Sequence, residues 1–238
     1  MENILNIYAR HYDTLRLLPP YQVFQKDIVQ NIILWLKKTQ NHDQLNVLDI
    51  GCGTGNLIKM FLDNIDGHFP KAIKVVGVDN SIEMIKIARS KVGNDQRVDL
   101  REGNIDNIIK TLKPSSYQAV IMSNVLYNLK NPAEVIYKID ELLCSGGVLI
   151  ISDPKPDFRY SFILLHSLRS LSFLFLLPRI VNSLWWIYLY NRRAIDGEQS
   201  HFCTASEVKN FIDETKFKIV KIEETYAKQN FLITAVKQ

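Results

Sequence analysis

Apolar and polar positions along the chain follow two alternating patterns, one typical of strands and one typical of helices. Short runs rich in Val, Ile and Leu are bounded by Gly, Asp or Ser, as expected for buried strands. Between these runs, apolar residues recur three or four positions apart, which is the spacing of an amphipathic helix. The apolar runs predict strands at 45–50, 72–79, 97–103, 117–123, 146–153, 216–226 and 231–238.

Two of the helical segments carry start signals of their own. Ser81 precedes one segment as a typical N-cap, and Pro132 follows Asn131 at the position where proline is favoured in a first turn. The helical spacing predicts helices at 21–39, 57–65, 82–92, 131–143 and 204–215.

Strands that alternate with helices in this way predict right-handed βαβ units and a parallel sheet covered on both faces. The last two strands are close enough in sequence to form an antiparallel hairpin. The fold class expected is therefore α/β and Rossmann-like. It has an open, mostly parallel seven-stranded sheet, helices on both faces and an antiparallel last strand. Ligands of such sheets bind at the carboxyl ends of the strands, where the strand order reverses.

A single domain over residues 1–238 is predicted, because no linker or internal repeat separates the elements. It divides into an N-terminal helical segment (1–44) and a ligand-binding core (45–153). An apolar helical insertion (154–203) follows the fifth strand, and a C-terminal helix and hairpin (204–238) complete the chain.

Composition and cysteine usage are those of an ordinary globular protein. The sequence is 47% hydrophobic and 23% charged. Its N-terminus lacks the pattern of a secretory signal, and its three scattered cysteines fit neither a disulfide framework nor a metal site. A cytoplasmic location is the expectation.

The net charge of +4 is concentrated in the insertion. Residues 158–195 contain five arginines and no Asp or Glu, so the rest of the chain has a net charge of −1. An isoelectric point near 8.8 raises the possibility of nucleic-acid binding. Because the excess lies in the most apolar part of the chain, the sequence points away from a nucleic-acid partner.

The segment LDIGCGTG (48–55) places three glycines at alternate positions directly after the first strand. A tight turn without a ligand is one interpretation. A dinucleotide site is a second, but its G-x-G-x-x-G pattern requires glycine at position 56, which is Asn56. The third interpretation is an S-adenosylmethionine site, in which bare backbone approaches the methionine part of the ligand.

The third interpretation is supported by a resemblance to a known family. The segment is similar to the first motif, D/E-x-G-x-G-x-G, of the class I S-adenosylmethionine-dependent methyltransferases. VVGVDNS (75–81), REGNID (101–106), YQAVIMSNVLYNLKNP (117–132) and LCSGGVLIISD (143–153) resemble further motifs of that family, in the same order. The cofactor that this resemblance implies is S-adenosylmethionine.

The resemblance also implies roles for individual residues. Asp49 would lie near the ligand's ammonium, Asp79 would accept hydrogen bonds from the ribose hydroxyls, and Asn80 and Met84 would flank the adenine. Asn104 stands where the family usually has an acid that contacts the adenine amine, and its amide oxygen can still accept that hydrogen bond. The full set of expected cofactor-binding residues is Asp49, Gly51, Cys52, Gly53, Gly55, Asp79, Asn80, Met84, Asn104, Ile105 and Ser123.

The acceptor is less well defined by the sequence. The [DNS]-P-P-[YFW] motif of DNA and RNA amino-methyltransferases is absent after the fourth strand, and no carboxylate set matches a catechol-type metal site. We therefore expect no nucleic-acid acceptor and no metal. The overall plan resembles the small-molecule methyltransferases typified by ubiquinone and menaquinone biosynthesis enzymes.

In that group the segment before the first strand often forms a lid, which here would contain Tyr8, His11 and Tyr12. Plain helix packing of these rings is the alternative. The loop after the fourth strand faces the transferred methyl in the family, which makes Tyr127 both a substrate-binding and a catalytic candidate. His166 and His201 are candidate bases, although a lone histidine is more often structural.

The apolar insertion leaves three arrangements open. Its uncharged runs are too short to span a bilayer, which needs about 20 apolar residues. It could form a buried cap of two helices over the site, a homodimer interface, or a cap that makes peripheral contact with a membrane surface.

The prediction is a methyltransferase acting on a small, lipophilic acceptor. Two alternatives stay open, namely a peptide or protein-terminus methyltransferase that uses the insertion for docking, and a non-catalytic binding module.

Overall fold

The computed structural model describes residues 4–38, 44–65, 72–196 and 202–238. Seven strands form one sheet. They are β1 (Gln44–Ile50), β2 (Ala72–Asp79), β3 (Val98–Glu102), β4 (Tyr117–Ser123), β5 (Leu143–Pro154), β6 (Phe217–Thr225) and β7 (Asn230–Lys237). The order across the sheet is β3-β2-β1-β4-β5-β7-β6, and β7 pairs antiparallel with both of its neighbours. The predicted fold class is confirmed.

Nine α-helices are described around this sheet. They are α1 (Ile4–Tyr12), α2 (Pro19–Leu36), α3 (Asn56–Ile65), α4 (Ile82–Val92), α5 (Ile105–Ile109), α6 (Pro132–Leu142), α7 (Tyr160–Ser167), α8 (Leu171–Asp196) and α9 (Ala205–Asp213). Helices α2 and α3 cover one face of the sheet, and α6 and α9 cover the other.

The central strands are buried on both faces, which explains their continuous apolar sequences. Six of the seven residues of β4 are buried, and Leu48, Val120 and Ile150 on the three central strands have no exposed surface. The chain leaves β1 towards β2 and β3, then returns to place β4 on the other side of β1. A cleft therefore opens between the carboxyl ends of β1 and β4.

The capping signals act as the sequence predicts. The Ser81 hydroxyl accepts a hydrogen bond from the Met84 N–H at the start of α4, and Asn131 caps α6 through the N–H of Glu134. The predicted boundaries differ from the observed ones by up to three residues, at the end of α2 and at the start of β5. This strand begins at Leu143 because α6 ends one residue earlier and Gly146, at a φ of +77°, lets the strand continue through an irregular register.

The insertion folds into α7 and α8, and α1 packs against α8 and α4. Pro178 lies inside α8 without ending it. Proline removes one backbone hydrogen bond, to the carbonyl four residues earlier, and both Leu174 and Pro178 lie on the exposed side of the helix. No helix in the described part of the chain has the length and apolarity needed to cross a membrane.

Candidate functional site

The predicted glycine loop lies at the carboxyl end of β1, in the cleft where the strand order reverses. Gly51, Gly53 and Gly55 have φ values of +73°, +55° and +71°, which L-residues rarely adopt. A methyl group at Gly51 would lie 2.6 Å from Cγ2 of Val125, and one at Gly55 would lie 3.1 Å from Cβ of Ala88. At Gly53, the nearest atom would be Cε1 of Tyr12 at 3.9 Å. The outer glycines thus permit close protein packing, whereas Gly53 faces open space.

A buried carboxyl group, that of Asp49, and a half-buried one, that of Asp79, flank this loop. The Asp79 carboxylate accepts hydrogen bonds of 2.9 Å from the N–H groups of Gly53 and Ser81. Asp49 is 2% exposed, and none of the described residues donates a hydrogen bond to its side chain. Burial raises the pKa of Asp49 to about 8, with a smaller contribution from the charge of Asp79, and burial also raises the pKa of Asp79. An unsatisfied carboxylate beside the open face of Gly53 fits a cationic ligand.

The residues predicted to flank an adenine are spread around the ends of β2 and β3. Asn80 is exposed, and Met84 is buried against Tyr8 and Ala9 of α1. The Asn104 amide oxygen accepts a 2.8 Å hydrogen bond from the N–H of Asp106 and so caps α5, which leaves one of its lone pairs for another donor. Ile105, the first residue of α5, is half-buried. The two remaining predicted residues, Cys52 in the glycine loop and Ser123 at the end of β4, are buried and half-buried.

Beyond the glycine loop lies a cavity of about 60 Å³, here called the aromatic chamber. Asn124 and two phenylalanines, Phe158 and Phe202, contribute to its walls. The chamber is otherwise lined mainly by six tyrosines, namely Tyr8, Tyr12, Tyr21, Tyr127, Tyr160 and Tyr226. Burial raises the pKa of Tyr12 and of Tyr226 well above the usual value, so their hydroxyls are neutral hydrogen-bond donors near pH 7.

The predicted lid and loop residues divide between this chamber and the insertion. Tyr8, Tyr12 and Tyr127 line the chamber, where the Tyr127 ring stacks on Phe202 with centroids 5.2 Å apart. His11 instead faces α8. Its Nδ1 lies 2.9 Å from the Ser183 hydroxyl.

Of the two candidate histidine bases, the structure describes His166, which does not line the chamber. The His166 Nδ1 lies 2.9 Å from the carbonyl oxygen of Phe162 on its own helix, and its side chain lines neither cavity described here. A role for His166 as a base therefore gains no support. His201 lies outside the described residues. Among the described residues, no group of three or more His, Cys, Asp or Glu side chains is arranged to hold a metal ion.

A second, apolar cavity of about 410 Å³ adjoins the chamber. Both cavities share Leu15, Tyr160 and Tyr226 as lining residues. The walls of the apolar cavity come largely from α7 and α8, and include Ile163, Leu164, Leu177, Val181, Leu184 and Trp185. The insertion therefore supplies most of the apolar surface next to the site.

A polar cluster ties the N-terminal segment to the glycine loop. The Asp13 carboxylate accepts hydrogen bonds from the Thr54 hydroxyl at 2.6 Å and from the Lys91 ammonium at 2.9 Å. Lys91 also donates to Asn56, and burial lowers its pKa. This cluster holds the turn after α1 directly over the loop that follows β1.

A buried carboxylate at the end of β5 holds the loop that carries Tyr127. Asp153 has no exposed surface and accepts hydrogen bonds from the N–H groups of Val125, Leu126 and Tyr127, at 2.8, 3.1 and 3.1 Å. From the sequence, no role was assigned to Asp153. The sequence signal available for this role was the position of Asp153, which, like Asp79, is an acid at the end of a strand.

No local sequence pattern marks most of the other aromatic residues that line the chamber. Tyr21, Phe158 and Tyr226 come from three distant segments, and their rings meet only in the folded protein. Tyr226 begins a run of three residues with φ of 52°, 54° and 64°, a conformation costly for residues other than glycine. Such backbone strain is concentrated at functional sites.

Asp153→Asn is expected to flatten the pH dependence of stability. Burial raises the pKa of Asp153 to about 8, although three N–H groups oppose the shift. Between pH 4 and 8 the folded protein therefore binds more protons than the unfolded chain, so the free energy of unfolding falls as pH rises. Urea unfolding at pH 5.5 and 7.5 measures this fall, which the variant should reduce without abolishing, because Asp49 contributes with the same sign. An unchanged pH dependence would contradict the assignment.

Comparison with known proteins gives a consistent result. Residues 41–174, more than half of the chain, match the family described as "Methyltransferase domain". The malonyl-(acyl-carrier protein) O-methyltransferase of Halalkalibacterium halodurans is 32% identical over 48% of this chain and 41% of its own length. The ubiquinone/menaquinone biosynthesis C-methyltransferase of Campylobacter jejuni is 26% identical over 54% of this chain and 51% of its own. The chain thus spans about half the length of these relatives or less.

Solved structures share the fold. Magnesium protoporphyrin IX methyltransferase from Synechocystis PCC 6803, with bound S-adenosylhomocysteine, superposes with a TM-score of 0.57 at 17% identity, over 92% of this chain and 85% of that one. An S-adenosylmethionine-dependent methyltransferase from Aquifex aeolicus superposes with a TM-score of 0.60 at 16% identity, over the whole of both chains. The family match, together with the glycine loop and the two carboxylates beside it, shows that the chain belongs to the methyltransferase domain family and resembles its class I, S-adenosylmethionine-dependent members.

Proposed function

We propose that the protein transfers a methyl group to a small lipophilic acceptor whose reacting group occupies the aromatic chamber and whose apolar part lies in the adjoining cavity. The observation that carries this proposal is the continuity of the two cavities, which share Leu15, Tyr160 and Tyr226. The chamber also includes Tyr12, the residue nearest to the open face of Gly53. One elongated, apolar molecule fits this arrangement better than a compact polar one.

The acceptors of the relatives differ widely in polarity. Trans-aconitate 2-methyltransferase of Rhodopseudomonas palustris is 29% identical over 52% of this chain, and its name specifies a small carboxylic acid. Among the described residues, neither cavity is lined by Lys, Arg or His. A free polyanion would lose its hydration there without a compensating cation. This argument favours a lipophilic acceptor.

For the cofactor, we propose the residues that the motifs indicate. The Asp49 carboxylate would face the ligand's ammonium, and Asp79 would bind the ribose hydroxyls with the lone pairs left free by Gly53 and Ser81. Gly53 would lie against the methionine part. The helical segment 1–44 would act as a lid, held over the cofactor by the Asp13–Lys91 pair, and the insertion 154–203 as a cap over the acceptor.

The chemistry requires mainly positioning. When bound, S-adenosylmethionine supplies an electrophilic methyl group on a positively charged sulfur. The chamber's rings exclude water and present π-faces that suit a cation, and its neutral tyrosine hydroxyls can donate hydrogen bonds that orient the acceptor. Among the described residues, no His, Asp or Glu lines the chamber. The described walls therefore orient the nucleophile and leave its activation to the acceptor's own chemistry.

Gly53→Ala and Gly51→Ala are expected to separate binding from stability. In Gly53→Ala the new methyl group meets no close protein atom, so only the positive φ lowers the free energy of unfolding, by about 1–2 kcal/mol. S-adenosylmethionine affinity falls at least about tenfold, because the methyl group occupies the ligand's space. At Gly51 the contact with Val125 adds to the φ cost, for a loss of about 2–5 kcal/mol. Urea unfolding and calorimetry measure the two quantities. In the control Gly51→Ala/Val125→Ala, part of the lost stability should return. Wild-type affinity in Gly53→Ala would contradict the close approach.

S-adenosylmethionine binding is expected to release protons below pH 8. Asp49, with a pKa of about 8, is mostly protonated at pH 7 in the free protein, and a cation beside it favours ionisation. Affinity should therefore rise with pH up to about 8 and then level off. Titration calorimetry in two buffers of different ionisation enthalpy counts the protons. Asp49→Asn should remove most of the release, and an equal release in this variant would place the titrating group elsewhere.

The acceptor class is tested with S-adenosylmethionine carrying a labelled methyl group. The purified chain is incubated in detergent micelles with a total lipid extract, or in buffer with an aqueous metabolite extract or a peptide pool. We expect label in the lipid fraction, and loss of that label in Asp79→Ala. Label confined to the aqueous or peptide fraction would overturn the proposal.

A further inference from the structure

The two helices of the insertion have apolar side chains on their exposed sides as well as on their buried sides, which is unusual for helices at a protein surface. On α8, Phe173, Ile180 and Ile187 are buried, while Leu174, Val181 and Trp185 lie on the opposite, exposed side. A helix of this kind normally has a second apolar environment against its outer face.

The same pattern holds on α7 and at the start of α8. Ile163 is buried, whereas Phe162, Leu164 and Leu165 are exposed, and Phe175 is 83% exposed. These exposed apolar side chains of the two helices are here called the α7–α8 face. Its members are Phe162, Leu164, Leu165, Leu174, Phe175, Val181 and Trp185. Exposed apolar side chains grouped on a surface in this way mark an interaction site.

The α7–α8 face is connected to the apolar cavity. Leu164, Val181 and Trp185 are more than 40% exposed and also line that cavity. Whatever covers the face therefore lies at the mouth of the cavity.

The positive charge of the insertion indicates which partner covers the α7–α8 face. Residues 158–195 contain five arginines and no acid, and Arg159 and Arg169, next to the apolar side chains, are exposed. A second copy of this chain would pair the face with itself in a twofold dimer, which sets arginines against arginines without a carboxylate from the segment. An anionic lipid surface neutralises the arginines and receives the apolar side chains, and the exposed Trp185 suits the headgroup boundary.

We propose that the α7–α8 face docks on an anionic lipid bilayer and that the acceptor passes from the bilayer into the apolar cavity. The second half of this statement rests on the proposed function. The docking itself does not.

Sedimentation of the full chain with phosphatidylcholine vesicles, with or without phosphatidylglycerol, tests the docking. We expect wild-type protein to sediment with the anionic vesicles, less so at high salt because the arginine contribution is screened. Leu165→Ser/Phe175→Ser should reduce the partition coefficient at least about tenfold, because two exposed side chains no longer leave water. The control is Val23→Ser/Leu34→Ser, which removes two apolar side chains of α2 that are also more than half exposed and should bind like wild type.

The charge contribution has its own pair of variants. Arg159→Gln/Arg169→Gln should weaken binding to anionic vesicles about five- to thirtyfold, whereas Lys110→Gln/Lys113→Gln, two exposed cations elsewhere on the chain, should not. Calorimetric S-adenosylmethionine affinity, measured for every variant, should equal that of wild type and so verify that each is folded.

Three results would overturn the docking. The first is that wild-type protein stays in the supernatant with anionic vesicles at low salt. The second is that Leu165→Ser/Phe175→Ser binds vesicles like the α2 control. The third is that ultracentrifugation shows a wild-type dimer and that Leu165→Ser/Phe175→Ser is monomeric. Label transfer to lipid in micelles without vesicle binding would refute the docking and leave the proposed function intact. Vesicle binding without label transfer to lipid would refute the proposed function and leave the docking intact.

Discussion

The buried carboxylate of Asp153 is the contact on which the geometry of the site most depends. It holds three consecutive N–H groups of the loop after β4, including those of Val125 and Tyr127. Val125 in turn lies so close to Gly51 that a methyl group at that glycine would meet it at 2.6 Å. The loops after β1, β4 and β5 are therefore interlocked, and the glycine loop and the chamber residue Tyr127 keep one relative position. Catalysis by alignment needs this rigidity.

The same region is costly to fold. Asp49 and Asp153 are both buried carboxyl groups whose pKa is raised to about 8, and Asp49 has no hydrogen-bond donor among the described residues. Left-handed backbone at Tyr226 and its two successors adds strain. Natural proteins accept such local costs at functional sites, because a ligand of complementary charge recovers part of them. The two central layers of apolar side chains around β1, β4 and β5 provide the stability that tolerates them.

The insertion changes what this fold can bind. The sheet has a fold shared in outline with structures of 15–17% identity, whereas α7 and α8 form most of the apolar cavity and α8 packs against α1. The N-terminal segment and the insertion thus cover the site together, through contacts such as His11 with Ser183. An aromatic series from Phe158 through Tyr160 and Tyr188 to Trp185 runs from the chamber to the exposed surface.

The sequence by itself determined the α/β fold, the strand and helix order and the position of the glycine loop. These features depend on local rules: the period of apolar residues, capping side chains such as Ser81, and turns that need positive φ at Gly51 and Gly53. Asp79 could be recognised for the same reason, since an acid at a strand end near that loop is a local signal. Only the tertiary structure decided which aromatic rings form the chamber. Tyr21, Phe158 and Tyr226 are up to 205 positions apart in the chain, and their meeting depends on how α2, the insertion and the last hairpin pack. It likewise showed that His11 faces α8, that Asn104 caps a helix and that Asp153 holds a loop, because the direction of a side chain is set by its three-dimensional neighbours and not by its place in a motif.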